Sequence, residues 1–376
     1  MPTPTRWQAL LPLVVGTIVV LGVDHVVFGP EGPYWPVTKP QSYAGKVATV
    51  RRLHAERPPD PARTVLMLGD SRIRVGVLPQ TVERTSGGRV DAELGAVEGT
   101  RLRMWSFLVR RLDPDRNRYA AVVVPLLEAN DRDLRFTGGE FTVHPERSPT
   151  DLRALLPLVA PWDAVSLLPA VDTWETFVPT LRTIFLKGLV YRDDLAGFVE
   201  GPDQRRRTCD SALRAARRVQ DTGRPLGGTL AGLRWSEETE RVKWPRRKIK
   251  PLARERIAAS LRQGVPESKG DRAAYLQRWL GALVDHYEGS RTRVILLPIP
   301  RAPLVRESER EAPVDGFPAR LAEEGRVILL DQDPIRDFER PRFFGDHVHL
   351  NRQGSTAFSE HLGRELARVL GDEGGD

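Results

Sequence analysis

The chain has 376 residues, enough to bury a full core as one large domain with insertions or as two smaller domains. Hydrophobic residues at 40% and charged residues at 28% exclude a disordered chain. The net charge of +7 favours an anionic neighbour, a lipid surface or an acidic polymer. Without any nucleic-acid motif, that charge is too small to indicate nucleic acid. One cysteine, Cys209, excludes an intramolecular disulfide and a multi-cysteine metal site.

Residues 7–28 read WQALLPLVVGTIVVLGVDHVVF, with only Gln8, Asp24 and His25 strongly polar. That is close to the ~20 residues needed to cross a bilayer, so residues 1–28 are expected to form an N-terminal transmembrane anchor. A cleaved signal peptide is the rival, since Arg6 precedes the apolar stretch, but Gly22-Val23-Asp24-His25 makes a poor cleavage site. A buried core helix is the third reading. Arg6 and the α-amino group lie before the span, with Asp24 near its far end and Glu31 after it, which places the remainder outside the cytoplasm.

Proline and glycine at Gly29-Pro30-Glu31-Gly32-Pro33 break that helix, and residues 29–62 read as a spacer and linker helix, helical over 43–56. Residues 64–68 form a short apolar run bounded by turn signals, 90–94 a weaker one, and 119–127 the strongest. Residues 101–112 then carry Leu102, Trp105, Leu108 and Val109 on one helical side. Two more β-rich runs, 293–297 and 326–330, follow amphipathic helices at 275–287 and 317–324, and a last helix spans 354–370 with Asn351 as its cap. Strands alternating with helices predict an α/β fold with a parallel sheet covered on both faces. Residues 132–270 read as a mainly helical insertion between the third and fourth strands, splitting the α/β domain into 63–131 and 271–376. Its basic clusters, Arg205-Arg206-Arg207 and Lys243-Trp244-Pro245-Arg246-Arg247-Lys248, read as a solvated face, with anionic lipid or glycan contact as the alternative.

Ligands of parallel sheets bind beyond the carboxyl ends of the strands. Gly69-Asp70-Ser71 lies just past the first strand, Gly99 after the second, Asn130 after the third, and Asp346-His347-Val348-His349 before the last helix. A serine hydroxyl needs a base to become a useful nucleophile, and the imidazole in turn needs a carboxylate to fix its tautomer. Ser71, His349 and Asp346 supply those three roles. Donors for an oxyanion are also needed, and a backbone amide at Gly99 and the Asn130 side chain are suitable, with Gly95 competing for the glycine position. Each block has a bland reading as a turn or helix cap; their order at successive strand ends is what joins them.

Asp346, His347 and His349 are too few for a metal site, and no metal or cofactor is expected. His286 reads as a partly exposed helix histidine rather than a second base. Trp105, Trp162, Trp174 and Trp235 read as core residues, with glycan stacking as the alternative.

The ordered set Gly69-Asp70-Ser71, Gly99, Asn130 and Asp346-x-x-His349 resembles the SGNH/GDSL hydrolase superfamily. The resemblance implies a flavodoxin-like three-layer α/β/α fold, Ser71 as nucleophile, His349 as base and Asp346 as its orienter. It also implies that Gly99 and Asn130 join the Ser71 amide in the oxyanion hole. One departure is Glu128-Ala129-Asn130-Asp131, where many relatives have a glycine two residues before the asparagine. The anchor and insertion resemble the envelope-bound branches, which move acyl groups on polysaccharides, often beside a multi-spanning membrane acyltransferase. An acyl-Ser71 enzyme that O-acetylates a cell-envelope or exported polysaccharide is therefore expected. The alternatives are an envelope esterase, lipase or carbohydrate esterase, and a non-catalytic, membrane-tethered glycan-binding or assembly protein.

Overall fold

The computed structural model describes residues 6–28, 38–126, 192–236, 238–246, 249–263, 270–305 and 316–371. The chain divides into two compact units, Met1–Arg52 with Arg135–Arg214, and Leu53–Leu134 with Ala215–Asp376.

In the first unit, α1 (Arg6–Phe28) presents Leu11, Val14, Ile18, Val19 and Val26 to solvent. Among the described residues no helix is long and apolar enough to cross a membrane, so the expected transmembrane anchor is not supported there. The side chains of several α1 residues lie outside that description. The unit also holds the start of α2 (Tyr43–Glu56), α6 (Arg192–Glu200) and most of α7 (Pro202–Thr222). Cys209 is buried there, its thiol on the Thr38 carbonyl oxygen at 3.4 Å.

The second unit is built on a five-stranded parallel sheet. Its strands are β1 (Thr64–Met67), β2 (Asp91–Leu94), β3 (Ala121–Leu126), β6 (Arg293–Pro298) and β7 (Ile328–Leu329), in the order β2-β1-β3-β6-β7. Met67 pairs with Leu94 on one side and with Val123 on the other, and Val122 pairs with Val294. β1 is buried along its whole length and β3 over all but its last residue, as continuous apolar runs in a doubly covered parallel sheet should be. Helices α3 (Ser71–Gly76) and α4 (Pro79–Thr85) pack with α12 (Arg352–Gly371), the last helix, which follows the short α11 (Asp333–Arg336). Helix α5 (Leu102–Leu112) packs with α9 (Gly270–Tyr287), which also packs with α10 (Gly316–Glu323). The architecture is thus α/β, a parallel sheet flanked by helices, compatible with three layers.

Within the segment expected to be a mainly helical insertion, the described residues include an antiparallel pair, β4 (Arg234–Ser236) with β5 (Arg241–Lys243), followed by α8 (Pro251–Gln263). Trp105 lies in the core at 1% exposure, Trp235 is half-buried, and Trp162 and Trp174 lie outside the described residues. His286 is also half-buried, its Nε2 on the Asp113 carbonyl oxygen at 3.0 Å.

The strand order creates the site. From β1 the chain passes to β2 on one side and then crosses to β3 on the other, so the strand order reverses at β1, and ligands of such sheets bind in the crevice outside the carboxyl ends at that point.

Candidate active site

Ser71 reaches this crevice through a turn only glycine fits. Gly69 has φ +149°, and a Cβ there would stand 2.5 Å from Ile73 Cγ1. Asp70 then caps α3, its Oδ1 accepting the Arg72 N–H at 2.8 Å, while the Arg72 guanidinium folds back onto the same carboxylate at 3.1 Å. Asp70 is occupied in holding the turn, and Ser71 is left as the first helical residue.

The loop after β2 is fastened to that turn. The Gly69 carbonyl oxygen accepts from the Val97 N–H at 2.9 Å and from Thr100 Oγ1 at 3.3 Å, and Trp105 Nε1 donates to Thr100 Oγ1 at 2.9 Å. Gly99 sits in this loop with φ +76°. Gly95, the other candidate glycine, instead extends the sheet, donating its N–H to the Met67 carbonyl oxygen at 3.0 Å. Neither the Ser71 N–H nor the Gly99 N–H has a partner among the described residues, the condition required of an oxyanion donor. Asn130 lies outside the described residues.

The acid–base loop comes from the far end of the chain. His349 Nε2 lies 2.8 Å from Ser71 Oγ, and His349 Nδ1 lies 2.9 Å from Asp346 Oδ2. Asp346 Oδ1 also accepts the backbone N–H groups of Val348 at 2.9 Å and His349 at 2.8 Å. Burial opposes ionisation of Asp346, but the bonds from the His349 ring and from these amides outweigh it and hold the carboxyl down to about 2. An ionised Asp346 takes the Nδ1–H and turns the Nε2 lone pair toward the serine hydroxyl. The three residues singled out from the sequence are thus brought into one hydrogen-bonded chain.

Three features of this loop have weak or no sequence signals. Asn351 follows it, and residues 223–230, the strap that follows α7, run past it: the backbone of Leu226 bridges to Asn351 and accepts the Arg352 N–H at 3.2 Å. His347, half-buried beside Asp346, takes a hydrogen bond on Nε2 from Arg256 Nη1 at 3.0 Å. Its Nδ1 lies 3.8 Å from Asp346 Oδ1 and has no hydrogen-bond partner among the described residues. Burial lowers the His347 pKa, Asp346 opposes this, and Arg256 adds to it. Only Asn351 carried a readable signal, as a polar residue directly before a helical pattern. Among the described residues no group of three or more His, Cys, Asp or Glu side chains could hold a metal ion.

Chemically, the arrangement can raise a nucleophilic serine by general-base catalysis. No protein-family model and no curated protein matches the chain.

Proposed function

We propose that the chain is a serine acyl-transfer enzyme that forms an acyl-Ser71 intermediate and O-acetylates a cell-envelope or exported polysaccharide. The observation that carries this reading is the 2.8 Å contact between His349 Nε2 and Ser71 Oγ, with Asp346 behind the ring.

As Ser71 Oγ attacks the ester carbonyl carbon, His349 Nε2 takes the hydroxyl proton, and Asp346 stabilises the imidazolium that results. Negative charge collects on the former carbonyl oxygen, where the Ser71 and Gly99 N–H groups and Asn130 are the proposed donors. Collapse of the tetrahedral species expels the donor's alkoxide, which takes the proton from His349. A sugar hydroxyl then attacks the acyl-serine by the same path in reverse, returning the proton to Ser71.

The resemblance to SGNH/GDSL enzymes supports the reading. So does the strand order, which becomes 2-1-3-4-5 when the separate β4–β5 hairpin is set aside, the flavodoxin-like order. We place the enzyme at the cell membrane with its catalytic part outside the cytoplasm. The exposed apolar side chains of α1 support that placement, since a run of exposed apolar side chains favours an apolar surface over water.

Incubating the protein with p-nitrophenyl acetate, with and without a glycan acceptor, tests the proposal. Ester cleavage that accelerates with the glycan and yields acetylated sugar is expected. Cleavage that yields only free acetate assigns hydrolysis instead, and no cleavage at all overturns the enzyme reading.

A further inference from the structure

The half-buried His347 carries a polar atom that neither the packing nor the proposed reaction uses. Its Nε2 lies 3.0 Å from Nη1 of Arg256 on α8. A guanidinium has donors and no acceptor, so Nε2 is the accepting nitrogen and bears a lone pair. A neutral imidazole has one ring proton, and that proton is therefore on Nδ1. Burial lowers the His347 pKa, which favours the neutral ring.

This Nδ1–H is closed off from solvent and has no hydrogen-bond partner among the described residues. It stands 3.8 Å from Asp346 Oδ1, too far for a hydrogen bond but near enough for the N–H dipole to meet the carboxylate charge. A buried, unpartnered N–H costs stability, and in a native fold such a group calls for a reason. The opposite tautomer would be worse at both nitrogens. It would set an N–H against the guanidinium and a lone pair against the ionised Asp346.

The charged and titratable groups facing His347 are Asp346 and His349 from its own loop and Arg256 from α8. Asp346 stabilises the imidazolium form of His349, and whatever draws on the carboxylate charge weakens that effect. The Nδ1–H dipole, with the Arg256 charge on the far nitrogen, draws on it. His349 then stays unprotonated, and able to act as a base, down to lower pH.

We propose that His347 is a positioning residue: Arg256 fixes it as the Nδ1–H tautomer, and that N–H, facing Asp346, keeps His349 a free base. The kinetic consequence rests on the acyl-transfer reading; the tautomer and the titration of His349 do not.

Nitrogen NMR of the full-length protein with isotope-labelled histidine reads both rings without turnover, the signals being assigned by their loss in His347→Asn and His349→Ala. In wild type, His347 is expected to hold its proton on Nδ1 at neutral pH. Arg256→Leu should move that proton in part to Nε2, and Arg256→Lys should restore the wild-type form, since an ammonium also only donates. His349 should titrate at higher pH in His347→Leu than in wild type, by about half a pH unit or more. On the acid limb of the pH profile this lowers kcat for p-nitrophenyl acetate about threefold, with KM unchanged. His347→Asn should recover most of that loss, because its amide reaches about as far as Nδ1, whereas His347→Gln should not. A merely structural histidine would lower stability without moving the His349 titration. His347 protonated on Nε2 in wild type, a tautomer indifferent to Arg256→Leu, or His349 titrating at the same pH in wild type and His347→Leu would overturn the proposal. Spectra that behave as expected in a protein that cleaves no ester would leave the role of His347 standing and remove the acyl-transfer reading alone.

Discussion

Asn351 donates from Nδ2 to the carbonyl oxygen of Arg342 at 2.7 Å, closing a loop whose tip carries Asp346 and His349. Its Oδ1 accepts the Gly354 N–H at 2.9 Å, so one side chain both caps α12 and ties off the acid–base loop. Asn351→Ala removes the cap and strands buried backbone groups. It should lower stability by about 2 kcal/mol and reduce kcat, as the His349 ring loses its fixed position. Urea unfolding and steady-state kinetics on the same preparation measure both losses.

Asp346 makes stability depend on pH with a definite sign. Its carboxyl is held at about 2 in the folded protein against an ordinary value of 3.8, so the contribution is fully present above pH 4 and disappears as pH falls through 2. The effect is on the order of 2 kcal/mol. The stability difference between wild type and Asp346→Asn should therefore narrow between pH 4 and pH 2 and stay constant above pH 5. Chemical denaturation across that range measures it. Any loss of activity near pH 5 arises from a group other than Asp346.

Gly69→Ala should be far more damaging than an exposed glycine replacement. The added methyl would meet Ile73, and an alanine resists φ +149°. The turn must open, moving Ser71 away from His349. A loss of activity exceeding about tenfold, with a stability loss of about 1–3 kcal/mol, is expected. Gly87→Ala, also at positive φ but in open space, separates backbone strain from collision at Ile73.

Gly363→Ala tests the packing of the helices away from the site. A Cβ there would lie 2.1 Å from Thr85 Oγ1 and 2.7 Å from the Val82 carbonyl oxygen, where α12 crosses α4. Thermal unfolding should report a loss of about 1–3 kcal/mol, with KM unaffected at temperatures well below the transition.

Much of this was legible in the sequence because it rests on local patterns. Continuous apolar runs marked β1, β3 and β6, and spacing with strand-end position marked Ser71, Asp346 and His349. β2 was faint because Glu93 interrupts its apolar run. That residue is 3% exposed in the fold, paired with His54 Nδ1 at 3.2 Å, while the same nitrogen meets Tyr119 Oη at 2.8 Å. β7 is two residues long where five were expected, since only Ile328 and Leu329 are in ladder register with β6, with Leu330 adding a single N–H bond to the Leu296 carbonyl oxygen at 3.0 Å. The strap around Leu226 and the Arg256–His347 contact were not legible. Both join residues far apart in the chain, through irregular backbone in one case and a long exposed side chain in the other.

The most direct test of the central claim is labelling with a fluorophosphonate serine probe, followed by mass mapping of the modified peptide. Wild-type protein is expected to carry the label on Ser71, with Ser71→Ala unlabelled and His349→Ala slowed by at least about a hundredfold. Equal labelling of wild type and Ser71→Ala, or no labelling of wild type while a known serine esterase reacts beside it, would contradict the account.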